Sequence, residues 1–122
     1  MSEILEAGGT QVFVLDDDGP RLAATQGFLD VIGSLWGEAV GVMFLAIPTA
    51  RLTPEFFDLR TGVAGDALQK FVNYQVQVAL VGDVSEHVAA SGALADFVHE
   101  SNTGRHVWFV RDLDELRARL EG

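Results

Sequence analysis

The chain has 122 residues, 48% hydrophobic and 21% charged, which excludes a disordered chain and is enough for one domain with a real core. Its 18 acidic residues against 8 basic ones give a formal charge of -10, a field that repels phosphate backbones and argues against nucleic-acid binding. Cysteine is absent, which excludes disulfides, thiolate catalysis and cysteine-bound metals.

The N-terminal stretch MSEILEAGG has neither the basic nor the apolar region of a signal peptide. The longest apolar run, Ala39 to Ile47, is too short to cross a bilayer as a helix, so a cytoplasmic protein without membrane contact is expected. Ile4-Leu5 and Val12 to Leu15 flank Ala7-Gly8-Gly9-Thr10 and predict a hairpin with a glycine turn. After the acidic turn Asp16-Asp17-Asp18-Gly19-Pro20, a helix is predicted from about Thr25 to Gly37. Its apolar residues Phe28, Leu29, Ile32, Leu35 and Trp36 fall on one face. Val40 to Ile47 reads as a strand covered on both faces and ended by Pro48.

Thr53-Pro54-Glu55 signals a helix start, with threonine as N-cap and proline at the first helical position, leading into Phe56 and Phe57. The next helix, from about Gly62 to Asn73, puts Ala64, Leu68, Phe71 and Val72 on one side. Val76 to Val81 is a strand closed by Gly82-Asp83. Ser85 and Ser91 can each cap a helical segment that runs to Asn102 and stops at Thr103-Gly104. His106 to Val110 is the last strand. Asp112-Leu113-Asp114-Glu115 then opens a helix with Leu113, Leu116 and Leu120 down one face.

A hairpin followed by three strand-helix alternations predicts one α/β domain over residues 1–122, with a mainly parallel sheet of four to five strands and right-handed crossovers. In the last strand Val107 and Phe109 alternate with Trp108 and Val110, so one aromatic set lies outside the helix-packed layer. Gln75 and Gln77 mark a face that is only partly apolar. Trp108 is therefore expected either in a homodimer contact or beneath the hairpin or last helix folded over that face.

The candidate functional stretch is Phe56 to Tyr74. Backbone N–H groups at Gly62 to Gly65, including Ala64, would point out of a helix start where the dipole favours an anion, with Arg60 and Arg51 supplying charge. Alternatively Thr61 caps the helix and the glycines allow close packing against a strand. Gln69 and Lys70 read as an exposed step and Tyr74 as a helix-end residue with a wet hydroxyl, a possible partner surface. Asp16-Asp17-Asp18-Gly19 lacks the ligand spacing of a calcium loop, and His87, His99 and His106 lack zinc spacing, so no metal is expected. Asn102 reads as a helix-end cap. No Gly-x-Ser-x-Gly elbow exists, Ser34 sits inside a helix pattern, and the carboxylates are dispersed, so neither a catalytic residue nor a cofactor is nominated.

The blocks FFDLRTGVAGDALQKFVNY, VALVGD and DFVHESNTGRHVWFV resemble the bacterial family of domain of unknown function 4180, from about Val12 to Leu120. That family implies no particular activity. The element order is also similar to the STAS domain of anti-sigma factor antagonists, whose phosphoacceptor hydroxyl precedes a glycine at the start of the second long helix. The resemblance places that role at Thr61, before Gly62. Where the antagonists carry Asp-Ser ahead of it, this chain has Leu59-Arg60. Two functions follow: a regulatory module meeting a protein partner through Arg60 to Gly65, or a small-anion carrier or small enzyme using the same helix start.

Overall fold

The computed structural model describes residues 3–122, so Met1 and Ser2 of the N-terminal stretch lie outside the described residues. Chain order is β1 (Glu3–Ala7), β2 (Thr10–Val14), α1 (Thr25–Glu38), β3 (Phe44–Pro48), α2 (Pro54–Phe57), α3 (Val63–Asn73), β4 (Gln77–Val81), α4 (Ser85–Ala90), α5 (Gly92–Thr103), β5 (Val107–Val110) and α6 (Leu113–Glu121). Single 3-10 turns at Thr49–Arg51 and Leu59–Thr61 bracket α2. The strands form one sheet in sequence order, with β1 antiparallel to β2 and the remaining pairs parallel. This is the mainly parallel α/β architecture the pattern predicted.

The hairpin turns on Gly8 and Gly9, both at positive φ (57° and 79°), the backbone a two-residue turn requires. Alternation then divides the strands between two cores. Phe13, Leu45, Ile47, Val78, Leu80 and Phe109 pack with α1, α2 and α3. There Phe28 lies 5.9 Å from Phe56 and meets Phe71 edge-on at 6.1 Å. The opposite side chains, among them Val12, Val14, Phe44, Ala46 and Ala79, pack with Leu116 of α6. That last helix touches both β5 and β1, so it covers the second face of the sheet. No helix among the described residues is long and apolar enough to cross a membrane.

Several expectations are corrected. β3 begins at Phe44, not Val40: Gly41 is left-handed (φ 88°), and Val40 is 86% exposed on the turn that leaves α1. Trp36 and Val72 face solvent although the helical period put them with the core; α1 buries Val31 in place of Trp36. Gln75 is a turn residue at φ 59° and not part of a strand. Thr53 and Ser85 make no side-chain caps; the Ser85 N–H donates to Asp83 Oδ1 instead. Ser91 and Asp112 do cap, accepting from the N–H groups of Leu94 and Glu115.

Arg51 goes elsewhere than expected. Its buried guanidinium donates through Nε to Pro20 O (2.6 Å) and through Nη1 to Asp16 O (2.9 Å). It cannot supply charge to the start of α3. Gly19 packs directly against it, since a Cβ there would come within 2.4 Å of the guanidinium. The acidic turn is thus folded around an arginine, and Leu22 is brought alongside Leu52 by a 2.7 Å bond from its N–H to Arg51 O.

Candidate functional site

Asp58 organises the approach to α3. Its Oδ1 accepts from the Arg60 backbone N–H at 3.2 Å and from Arg60 Nε at 3.0 Å, while Oδ2 accepts from Nη2 at 3.1 Å. The fork-on-carboxylate geometry is a strong form of ion pair, though both groups lie in solvent, which screens it. The side-chain bond to Arg60, and then its backbone bond, hold the Asp58 carboxyl below its ordinary range; the same side-chain bond raises the Arg60 guanidinium.

Thr61 is exposed, yet its hydroxyl is engaged. Oγ1 lies 2.7 Å from Glu55 O and 2.8 Å from Asp58 O, to which it donates, and it accepts from the Val63 N–H at 3.3 Å. The N-cap position of α3 belongs to Gly62 (φ 79°), a backbone few other residues adopt. Ala64 is buried against the core, whereas Gly65 is exposed, and a Cβ on it would meet nothing within 4 Å. Gly65 therefore does not serve close packing against a strand.

The outer surface of α3 carries Gly65, Gln69, Val72 and Asn73, with Gln69 Nε2 donating to Asn73 Oδ1 at 2.9 Å and Lys70 half-buried. The helix ends at Tyr74, 44% exposed, whose ring meets that of Trp36, 45% exposed, edge-on at 5.2 Å. Sequence reasoning found Tyr74 and missed Trp36. The available signal was its place at the end of an amphipathic helix, next to Gly37. On the other side of Arg60 an open groove of about 460 Å³ runs between Leu59, Phe57 and Pro54 on one wall and Ala90 and Ala93 on the other. Thr61 to Gly65 do not line it. The Phe57 ring stacks flat on His87 of α4, 4.0 Å between centroids.

Trp108 lies beneath the last helix, the second of its two expected placements. The Arg119 guanidinium sits 4.1 Å above its ring, its Nε1 donates to Gly104 O at 2.9 Å, and Phe44 packs at 5.6 Å. Asn102 is not a cap: inside α5, its Oδ1 accepts from the Phe109 N–H at 2.7 Å. Among the described residues no group of three or more His, Asp or Glu side chains is placed to hold a metal ion.

Residues 7–120 match the family described as Domain of unknown function (DUF4180). The chain belongs to this family. No curated protein and no solved structure matches it. Membership in DUF4180 thus agrees with the motif blocks between Phe56 and Val110 and leaves function to be argued from the surface.

Proposed function

We propose that this DUF4180 domain is a regulatory binding module that meets a protein partner across the outer face of α3, from the Arg60–Gly65 turn to Tyr74. The observation that carries the reading is the exposed Trp36–Tyr74 pair closing that face. Large aromatic side chains left in water at an element's end are the groups that dominate interface energetics when covered. The similarity of element order to STAS domains supports the same reading. An anion at the start of α3 is less well supported: it would compete with the Asp58 carboxylate for Arg60 and with Thr61 Oγ1 for the Val63 N–H.

The test is affinity capture from cells that naturally contain the protein, using the wild type and the double variant Trp36→Ala, Tyr74→Ala. Both residues are half exposed, so the fold is expected to survive their loss, with thermal unfolding of the variant as the check. A partner held by the wild type should be retained roughly tenfold less by the variant. Equal retention would place the interface on another surface.

A further inference from the structure

The two edges of the sheet are finished differently. Successive residues of a strand aim their N–H and C=O groups at opposite neighbours. The N–H groups of Val78 and Gly82 donate to His106 O and Val110 O, so the even-numbered residues of β5 face β4 and the odd-numbered ones face outward. Side chains take two of those outward N–H groups: Asn102 Oδ1 accepts from Phe109, and Glu115 Oε2 accepts from Arg111. The α5 helix packs against the same strand.

β1 forms the other edge, and the same alternation identifies its outer groups. The Leu15 N–H donates to Ala46 O of β3, so Phe13 and Leu15 face β3 while Val12 and Val14 face β1. Val12 stands opposite Leu5. Leu5 therefore faces β2, and Ile4 and Glu6 send their N–H and C=O groups outward. Among the described residues no hydrogen bond takes these outward groups. The Ile4 side chain is also 49% exposed. An open edge carrying an exposed apolar residue is a template for another strand.

The strand that fits this edge is β1 itself. A two-fold axis through Leu5 sets Ile4 opposite the partner subunit's Glu6 and Glu3 opposite the partner's Ala7. At each Ile4–Glu6 pair both outward N–H···O bonds are exchanged. No carboxylate then stands directly opposite another, whereas the register that sets Glu6 opposite the partner's Glu6 juxtaposes like charges. With β5 closed, self-pairing of β1 ends at two copies and does not propagate into a fibre.

We propose that two copies of this chain pair β1 against β1 antiparallel and join their sheets into one across a two-fold axis. This goes beyond the partner surface on α3 and does not depend on it. A strand of 5 residues buries little area, so the association is weak, with a dissociation constant on the order of 100 µM.

The experiment follows mass and amide exchange of the wild type across concentration. Sedimentation equilibrium between about 20 µM and about 1 mM should fit a monomer–dimer equilibrium. Over that range the Ile4 and Glu6 amides should exchange roughly threefold or more slowly, in step with the dimer fraction. The Phe109 amide, held by Asn102, is the internal control and should not follow concentration. Glu6→Pro should stay folded and monomeric, because it removes an outward N–H and no bond within the subunit. If that variant unfolds, the wild-type exchange pattern still decides. A wild type that remains monomeric at about 1 mM overturns the proposal, as does a dimer whose Ile4 and Glu6 amides exchange at the monomer rate. A folded Glu6→Pro that dimerises like the wild type overturns it too.

Discussion

Asp58 and Arg60 face each other across one residue, and each satisfies the other in full view of solvent. The consequence for pH follows from the direction of the shift. Asp58 is held below its ordinary value of 3.8 in the folded chain, so the pair adds stability above that value. The contribution is lost as pH falls through the depressed folded value. Arg60→Gln should therefore raise the Asp58 carboxyl toward its ordinary titration range in carbon-detected NMR, leaving the part held by the backbone N–H of residue 60. The urea midpoints of wild type and variant should converge in acid, and they should also approach each other at high salt, which screens exposed pairs. An Asp58 titration unaffected by the substitution would remove Arg60 as the cause. Arg51 shows the opposite regime of the same residue type: withdrawn from water, it gives its donors to carbonyl oxygens and shapes a turn instead of a surface charge.

Between elements, Asn102 makes the connection that the helical pattern hides. Lying next to the last residue of α5, it receives the Phe109 N–H of β5 on its side chain and Arg119 Nη2 of α6 on its carbonyl, both at 2.7 Å. One residue thus ties three elements. Asn102→Ala should lower the unfolding free energy by about 1–3 kcal/mol, because it leaves the part-buried Phe109 N–H unpaired. Asn102→Asp preserves an acceptor oxygen and should recover most of that loss. Denaturant unfolding of the three proteins is the check, and an alanine variant as stable as the wild type would show the bond to be dispensable. Glu115 has a comparable reach at the start of α6: its carboxylate accepts from the Arg111 N–H at 3.3 Å while its own N–H is taken by Asp112.

At the scale of the whole molecule the layers are unequal. α1, α2, α3 and α5 line one face of the sheet, whereas among the described residues α6 alone closes the other. Its C-terminal turn is held both by Trp108 under Arg119 and by the hairpin turn, where a Cβ on Gly8 would strike the Leu120 carbonyl. Trp108→Ala should therefore reduce stability by about 2 kcal/mol, through lost contact with Phe44 and Arg119. A homodimer built on Trp108 gives a different result: the same substitution would dissociate it and leave the unfolding free energy of the subunit unchanged. Sedimentation beside denaturant unfolding separates the two, with the subunit mass at 13.2 kDa.

Much of the architecture was legible in the sequence because it depends on neighbours in the chain. Gly8-Gly9 specifies a turn through its own φ values, Ser91 and Asp112 cap by reaching three residues ahead, and unbroken apolar runs such as Val78 to Leu80 mark strands buried on both faces. The tertiary structure alone decided where polar groups find partners. Arg51 bonds a carbonyl 35 residues away, which no local pattern records, and this removed it from the helix start where its charge had seemed useful. Trp36 is apolar and correctly spaced for the core, yet it points to water because the buried stripe of α1 passes through Val31 instead. Thr53 carries a strong helix-start signal, but its buried hydroxyl caps nothing and has no hydrogen-bond partner among the described residues. Periodicity and capping act over a few residues, whereas the surroundings of a side chain are set by strands and loops that meet only after folding.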